Sequence, residues 1–430
     1  MIKFPKYITL AVLLILCVTF FFVANHILSQ NVSNASLWQY QCIDTMKISR
    51  DSARSEAQNE NVAQEVEQEL TIIKKLGANC VAVATPYDEE FVPFLKIWVQ
   101  EARKKNLHVW FRGNFSSWEG WFNYPKGMTT QDHIQKTRQF IISHPDLFEN
   151  GDIFTPATEA ENGWGKGYVP ESDYPIFRQF LVDEHTNAQE AFGQIGKTVV
   201  TNWLSMSGGL AKNMLDGPTI QALDNTVTID HYVKTPEDMK SYIDYFSNNF
   251  HARVVLGEFG APIPDINGVM TNQEQASFVD SIFYTLYQEH DTIYAVNYWT
   301  LNNSSTALVD ANNNSKPVTD VVKQYYQPTT LIGKITDELG DAIGEAKVSI
   351  NNGENTTVTN FYGQYSIHTP ILSIKLLAFK NGYTMQQLTT TVSSGAKVQH
   401  NIILKPLHPS MTYQVRLTIK HFFDSLLHFK

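Results

Sequence analysis

The chain has 430 residues, enough for roughly two or three domains with a large core, and its 43% hydrophobic and 18% charged content is typical of a globular protein. Its net charge of −10 argues against nucleic acid as a partner, because phosphate binding favours basic surfaces. The three cysteines, Cys17, Cys42 and Cys80, have none of the spacings of a zinc site, so the sequence does not support such a site.

The first 28 residues predict a membrane anchor. Lys3 and Lys6 precede a largely apolar run, residues 7–28, whose 22 residues are the length that spans a bilayer of roughly 30 Å. Because basic residues stay on the cytoplasmic side, the rest of the chain is expected to face outside the cell membrane. The alternative is a cleaved signal peptide and a secreted protein, although the run is long for one and Ala24-Asn25-His26 is a poor cleavage site.

After a small, polar linker at residues 29–36, residues 37–328 alternate short apolar strands with amphipathic helices. The clearest helical patterns are at 61–76, 90–105, 130–144, 174–192, 237–249 and 273–289. The candidate strands are 38–43, 80–84, 107–112, 152–156, 197–201, 226–229, 253–256 and 293–297. This alternation predicts an α/β fold, a (β/α)8 TIM barrel. A doubly wound open sheet is the alternative, but no Gly-x-Gly-x-x-Gly follows the first strand.

The pattern changes at about residue 329. Residues 329–405 hold short alternating runs and turn residues without a helical period, which predicts a small all-β sandwich of roughly seven strands. The runs Gly333-Lys334-Ile335-Thr336-Asp337, Thr359-Asn360-Phe361-Tyr362-Gly363-Gln364 and Gly382-Tyr383 resemble the carboxypeptidase regulatory-like domain, a transthyretin-like accessory module. Residues 406–430 mix basic and apolar side chains and predict a poorly specified tail, with a basic amphipathic helix on a membrane or a neighbour as the alternative.

Two predicted strands of the first domain lead into carboxylates. Val254-Val255-Leu256-Gly257-Glu258 is a buried strand that ends in Glu258, and Glu159 and Glu161 follow candidate strand four. Residues at the C-terminal ends of strands four and seven of a barrel face each other across its mouth. A retaining glycosidase needs a proton donor and a carboxylate nucleophile, roughly 5–5.5 Å apart, in such a position.

These motifs resemble the retaining glycoside hydrolases of clan A, which include cellulases, mannanases and β-galactosidases. Leu256-Gly257-Glu258-Phe259-Gly260 matches the context of the clan's nucleophile, so the resemblance implies that Glu258 is the nucleophile. Thr158-Glu159-Ala160 matches the donor motif Asn-Glu-Pro only at its Glu, which implies Glu159 as proton donor and leaves Glu161 as the reserve. The resemblance implies a carbohydrate partner and no cofactor.

The resemblance also implies substrate-binding residues. Tyr232, after strand six, is expected to hydrogen-bond the nucleophile, with His231 lining the subsite and Trp299, after strand eight, as its floor. Arg112 is expected to hold the nucleophile ionised, although the clan's usual arginine follows strand two. The other candidates lie after strands three to five: Asn114, Trp118, Glu161, Trp164 and Asn202. The structural alternatives are an ion pair for Arg112 and core packing for His231, Trp299 and Trp118.

The sequence therefore predicts a membrane-anchored, outward-facing retaining glycoside hydrolase that cleaves β-glycosidic bonds of an external poly- or oligosaccharide. The departures at Thr158, Ala160 and strand two leave open a non-catalytic carbohydrate-binding or adhesive surface protein. Cys42 and Cys80, on neighbouring predicted strands, are interpreted as buried free thiols, with a disulfide as the alternative.

Overall fold

The computed structural model describes residues 36–165, 167–351 and 353–427. The predicted membrane anchor, residues 7–28, lies outside these ranges. Within them, no helix combines the length and the hydropathy needed to cross a bilayer.

The first part of the described chain is built on one parallel sheet of eight strands. In chain order these are β1 (Tyr40–Asp44), β2 (Cys80–Val83), β3 (His108–Phe111), β4 (Ile153–Phe154), β5 (Met206–Ser207), β6 (Thr226–Asp230), β7 (Arg253–Phe259) and β8 (Ile293–Tyr298). Their order in the sheet is β4-β3-β2-β1-β8-β7-β6-β5. Val200 bridges Ile153 of β4, and Met206 pairs with β6. The segment that holds Val200 and Met206 therefore connects the first and last strands of this order, and the sheet curls. The predicted α/β class is confirmed.

Helices connect these strands and cover the outside of the sheet. Thr235 and Thr271 each begin a helix with a capping box, in which the threonine hydroxyl accepts a hydrogen bond from the backbone N–H three residues on. The helices are Met46–Ser49, Ala53–Glu56, Val62–Lys75, Val92–Lys104, Ser116–Glu119, Thr130–Ser143, Tyr174–Gln194, Gly208–Met214, Gly217–Ala222, Pro236–Phe250, Pro264–Asn267, Asn272–Gln288 and Pro317–Tyr326, with 3₁₀ turns at Glu89–Phe91, Trp121–Asn123, Pro145–Leu147, Ala160–Asn162 and Glu171–Asp173.

The interior of the curled sheet is filled by a small cluster of buried side chains, which includes Cys42, Cys80, Trp110, Trp203 and Val255. A larger apolar core lies between the sheet and its helices. Cys42 and Cys80 are register partners on β1 and β2, and they form a disulfide. The interpretation as free thiols is therefore wrong, because parallel pairing puts the two side chains next to each other.

The fifth strand differs from its prediction. The residues of the apolar run 197–201 pair with β4: the N–H of Phe154 donates to the carbonyl of Val200 at 2.8 Å, and the N–H of Val200 donates to the carbonyl of Asp152 at 2.9 Å. Pairing with β6 begins only at Met206. The segment thus pairs with its two neighbours in succession, and residues 205–207, not Asn202, reach the C-terminal edge of the sheet.

After residue 328 the chain forms a β-sandwich. One sheet has the order β11-β10-β13-β14 and the other β12-β9-β15, with β16 also pairing β9. The two sheets share a core that includes Leu331, Ile335, Val348, Ile374 and Leu376. The strands are β9 (Thr329–Thr336), β10 (Lys347–Ile350), β11 (Asn355–Val358), β12 (Gln364–Thr369), β13 (Ser373–Phe379), β14 (Gln386–Thr391), β15 (Lys397–Gln399) and β16 (Ile402–Ile403). A helix, Met411–Leu427, follows where a poorly specified tail was predicted.

The sandwich joins the α/β domain at the N-terminal edge of the parallel sheet. Gln41, near the start of β1, donates through Nε2 to the carbonyl of Tyr326 at 3.0 Å. The next residue, Gln327, accepts from the N–H of Gly395 at 2.6 Å, and Tyr284 donates to Glu354 Oε1 at 2.8 Å. Glu258 lies near the C-terminal end of β7, so the sandwich and Glu258 are at opposite edges of the sheet.

Candidate active site

Arg112, directly after β3, is the centre of a buried polar cluster at the C-terminal edge of the sheet. Its Nη1 donates to Asp44 Oδ2 and to Glu258 Oε1, each at 2.9 Å. Its Nη2 donates to Asp230 Oδ2 at 3.1 Å and to Ser205 Oγ at 3.3 Å. One fully buried guanidinium therefore joins the ends of β1, β3, β6 and β7 and the residue before β5. Arg112 forms ion pairs with Asp44 and Asp230, as its structural alternative has it, and it also contacts Glu258, as the resemblance implies.

Glu258 is buried, and each of its carboxylate oxygens accepts a hydrogen bond. Oε1 accepts from Arg112, and Oε2 accepts from the hydroxyl of Tyr232 at 2.8 Å. Burial raises the pKa of Glu258, the Arg112 guanidinium opposes that rise, and the charge of Glu159 adds to it. Hydrogen bonds to both oxygens favour the ionised carboxylate in a fixed orientation.

Asp44 and Asp230 belong to the cluster and were missed by the sequence analysis. Each ends a strand after an isoleucine, and this strand-end carboxylate is the signal that identified Glu258. Burial raises the pKa of Asp230 well above its ordinary range, against the effect of Arg112. Gly257 makes room for this residue, because a Cβ there would lie 2.3 Å from Asp230 Oδ1. The glycine before Glu258 is thus required by the packing of a second acid.

Glu159 lies in the loop after β4 and is only partly buried, unlike Glu258. Its backbone is left-handed, with φ 42° and ψ 52°, and its N–H donates to the carbonyl of Ser205 at 3.1 Å. Its Oε2 accepts from Asn162 Nδ2 at 3.3 Å. Burial is the largest cause of the raised pKa values of Glu258 and Asp230, and the charge of Glu159 adds to both. Glu159 is therefore electrostatically coupled to the cluster around Arg112.

Two further carboxyl groups, Glu161 and Glu119, are affected by the charge of Glu159. Glu161 is buried, its Oε1 accepts from the N–H of Ser207 at 2.9 Å, and burial raises its pKa to about 7. Burial and then the charge of Glu159 raise the pKa of Glu119 to about 8, which Arg50 opposes. Glu119 was not among the predicted residues. The sequence gives no signal for it, because it is an acid in a loop helix rather than at the end of a strand.

The predicted residues after β6 and β8 lie beside Glu258. Tyr232 contacts the ring of Trp299 edge-on, with 5.9 Å between the ring centroids. His231 packs on Tyr242, its backbone N–H donates to the Glu258 carbonyl at 2.8 Å, and burial lowers its pKa to about 4. Nε2 of His231 and Nε1 of Trp299 are buried and have no hydrogen-bond partner among the residues that the structure describes.

Four predicted substrate-binding residues have other roles. Asn114 is fully buried: its Oδ1 accepts from His133 Nε2 at 2.8 Å, and its Nδ2 donates to the Thr158 carbonyl at 3.2 Å. Trp118 stacks on Phe180, and its Nε1 donates to the Ala160 carbonyl. Trp164 packs on Phe177 and donates to Asp173. Trp118 is buried beneath the loops, which agrees with its structural alternative, core packing.

Asn202 is also placed differently from its prediction. Its Nδ2 donates to the carbonyl of Leu223, which precedes β6, so the side chain lies toward the N-terminal edge of the sheet. The shifted pairing of the fifth strand is the reason, since Ser205 occupies the position predicted for Asn202. Within the ranges that the structure describes, no group of histidine, cysteine, aspartate and glutamate side chains has the arrangement of a metal site.

Comparison with known proteins gives likenesses of structure only. No protein-family model matches the chain, and no curated protein does. An FMN-binding beta-glucuronidase from Facaelibacterium prausnitzii L2-6 is 14% identical with a TM-score of 0.46, over 86% of this chain and 57% of its own. The chain thus spans little more than half of that protein.

Two further solved structures are similar over most of their own length. The catalytic domain of a mannanase from Streptomyces sp. SirexAA-E is 13% identical, with a TM-score of 0.44 over 66% of this chain and 84% of that one. XacCel5A in complex with cellopentaose is 9% identical, with a TM-score of 0.46 over 67% and 99%. At such identities and scores these likenesses concern the general fold, and function follows from the residues of the chain itself.

Proposed function

We propose that the chain is a retaining glycoside hydrolase that cleaves β-glycosidic bonds of an external poly- or oligosaccharide. The observation that carries this proposal is Glu258, a strand-end carboxylate held by Arg112 and Tyr232 and electrostatically coupled to the partly exposed Glu159. A double displacement needs one oriented carboxylate nucleophile and one carboxyl group that exchanges protons with the leaving group and with water.

Glu258 is the nucleophile in this proposal. Four carboxyl groups, Asp44, Asp230, Glu258 and Glu159, act on the single guanidinium of Arg112, and its charge opposes the rise that burial causes in the pKa values of Asp230 and Glu258. The hydrogen bonds that Arg112 and Tyr232 donate to the two carboxylate oxygens favour the ionised form of Glu258. Glu258 then stays anionic with two donors, and one of its oxygens attacks the anomeric carbon.

Glu159 is the acid and base. It is partly exposed, in reach of a leaving group, and its charge acts on Glu258. Formation of the glycosyl-enzyme consumes the carboxylate of Glu258, and Glu159, which has given its proton to the leaving group, then takes a proton from the attacking water. Glu161 is the reserve. Its pKa of about 7 suits a donor, but its Oε1 is held by the N–H of Ser207.

Groups without partners supply the proposed sugar contacts. Buried polar groups are nearly always hydrogen-bonded in proteins, so an unpartnered one beside a cleft is a site for a ligand. Thr158 Oγ1, His231 Nε2 and Trp299 Nε1 are buried and have no hydrogen-bond partner among the described residues, and they are the contacts proposed here. Burial lowers the pKa of His231 to about 4, so its ring is neutral, and Nε2 can hydrogen-bond a sugar hydroxyl without bringing a charge to the site. The Trp299 ring provides an apolar face for a pyranose.

The test is trapping with a panel of activated 2-deoxy-2-fluoro glycosides, followed by peptide mass mapping. We expect one sugar of the panel to label Glu258 with a stoichiometric loss of activity, which would establish the nucleophile, retention and sugar type together. The Glu258→Gln variant is the control and should not be labelled. No label from any sugar, with glycan binding unchanged in Glu258→Gln, would instead favour the non-catalytic carbohydrate-binding protein.

A further inference from the structure

Exposed apolar side chains are concentrated at the C-terminal end of the chain. In the part that the structure describes, 20 large hydrophobic side chains are exposed, and 16 of them lie in the sandwich and the final helix. The much larger α/β domain has only four of them: Ile142, Tyr168, Ile176 and Val269. A concentration of this kind marks an interaction surface.

One face of the helix Met411–Leu427 lies against its own domain. Only Tyr413, Leu417 and Lys420, which share one face, are partly buried. On this side Arg416 pairs with Asp341 at 3.3 Å, and Lys420 Nζ donates to the Glu338 carbonyl at 2.6 Å. The opposite, apolar face is outward, and there Val415, Ile419, Phe422 and Leu426 are 51–60% exposed. An exposed apolar stripe on the outward face of such a helix is typical of a helix that binds an interface or a partner.

This face lies at the end of the sandwich that is distant from the α/β domain. Strand β9 starts at the domain junction and ends at Thr336, immediately before the loop that holds the helix. The turn that contains Phe361 and Tyr362, which are 86% and 63% exposed, is at the same end, because Gln364 pairs with Lys334 near the end of β9. We call the outward helix face together with Phe361 and Tyr362 the apical surface.

We propose that the apical surface docks on the membrane in which residues 7–28 are predicted to be anchored, with its aromatic and aliphatic side chains in the lipid interface. The 8-residue linker, 29–36, reaches up to roughly 26–29 Å when extended. The 8 residues of β9 span roughly 26 Å from the domain junction to the apical end. The extended linker is therefore as long as the sandwich is high. It lets the apical surface lie at the membrane while the N-terminal edge of the sheet stays on the far side of the sandwich.

The distribution of charge fits this orientation. Residues 37–328 carry 22 lysine and arginine against 37 aspartate and glutamate residues, whereas residues 331–430 carry nine against six. An anionic lipid surface repels the first set and attracts the second. Aromatic residues such as Phe422 and Phe423, with Lys420 and His421 beside them, are typical of helices that lie in an interface. In this orientation Glu258, at the other edge of the sheet, faces away from the membrane.

The test uses the full chain in nanodiscs of phosphatidylcholine and phosphatidylglycerol, one copy per disc. A fluorophore that dithionite reduces is attached to a single introduced cysteine, Phe422→Cys or Phe361→Cys, in a Cys17→Ser background. Ile176→Cys, a 63% exposed position on the α/β domain, is the matched control. We expect reduction at 422 and 361 to be several-fold slower than at 176, with emission shifted to the blue.

Equal reduction rates at the three positions would overturn the proposal. Protection that is present only in discs holding two copies would assign the surface to a second copy of the chain instead of lipid. If residues 7–28 are removed on export, the secreted chain should still float with vesicles of the same lipids, and Phe422→Glu/Phe423→Glu should not. A secreted chain that does not float would equally contradict docking.

Discussion

Arg112 and Glu258 are 146 residues apart in the chain, and Nη1 of the first donates to Oε1 of the second at 2.9 Å. They follow β3 and end β7, strands that are separated in the sheet by β2, β1 and β8. This contact requires the sheet to curl, and the curling brings Asp44 and Asp230 to the same guanidinium. Fold and site are thus coupled through one side chain.

Arg112→Lys is expected to reduce both stability and activity. The single nitrogen of an ammonium group cannot reach all the partners that Nη1 and Nη2 of the guanidinium share between them, so at least one buried carboxylate loses its partner, which costs on the order of 3 kcal/mol. Thermal unfolding and kcat/KM should both fall. Arg103→Lys is the matched control, because Arg103 holds buried Asp152 away from the site, and it should lower Tm without a specific loss of kcat. Full activity in Arg112→Lys would contradict this role.

Removal of the proposed nucleophile should abolish hydrolysis while leaving the cavity for a replacement. We expect Glu258→Gly to lose about 10⁴-fold or more in kcat. Azide should then react with an activated α-glycosyl fluoride or aryl β-glycoside to give a glycosyl azide whose configuration is inverted relative to the donor. An azide product of retained configuration would show that another group is the nucleophile.

Glu159 and Glu161 can be separated by the leaving group. Glu159→Ala should lower kcat about 10²–10⁴-fold for glycosides with poor leaving groups and much less for dinitrophenyl glycosides, which need no proton. Azide should accelerate turnover and give a product of retained configuration. Glu161→Ala is the matched comparison, and we expect its loss to be similar for both leaving groups. The reverse pattern would transfer the acid and base role to Glu161.

Tyr232→Phe should change the pH dependence of activity. The hydroxyl of Tyr232 donates to Glu258 and lowers the pKa of that carboxylate, so its removal raises the pKa. The acidic limb of kcat/KM should therefore shift to higher pH, and the plateau should fall by about tenfold or more, as for a hydrogen bond to a charged group. A lower plateau with an unmoved acidic limb would indicate that Tyr232 contacts the substrate instead.

A buried carboxyl outside the site gives a stability prediction. Asn302 Nδ2 donates to Glu69 Oε1 at 3.0 Å, and burial still raises the pKa of Glu69 to about 7. Because the folded state holds this proton more tightly than the unfolded state, stability falls as pH rises from about 4.5 to about 7. Glu69→Gln keeps the hydrogen bond and should be more stable at pH 8, by at most about 3 kcal/mol. Unfolding midpoints at low pH, where the parent is protonated, should coincide.

Most of the α/β domain could be predicted from its sequence because each strand and helix is a local pattern. Predicted helix 61–76 is Val62–Lys75, and predicted strand 293–297 is Ile293–Tyr298. The fifth strand could not, since its apolar residues 197–201 pair with one neighbour and residues 206–207 with the other. That division depends on how the sheet curls, and the error carried over to Asn202.

The site was predictable where a single strand end carries the chemistry. Glu258 was identified in this way and Tyr232 through the family resemblance, and the structure joins them by a hydrogen bond. Asp44 and Asp230 carry the same local signal, yet only the packing around Arg112 distinguishes them from solvent-exposed acids. The roles of Trp118 and Asn114 depend on helices far along the chain, Tyr174–Gln194 and Thr130–Ser143, so sequence position after strand three is not sufficient.

The left-handed backbone of Glu159 places activity and thermostability in opposition. A side chain with a Cβ at φ 42° costs on the order of 1 kcal/mol, which glycine would not. Glu159→Gly should therefore unfold at a higher temperature than Glu159→Ala, while both variants lack the proposed acid and base. Selection of this chain for heat resistance alone would drift toward an inactive protein at that position, so engineering for durability has to hold Glu159 fixed and seek stability in other parts of the molecule.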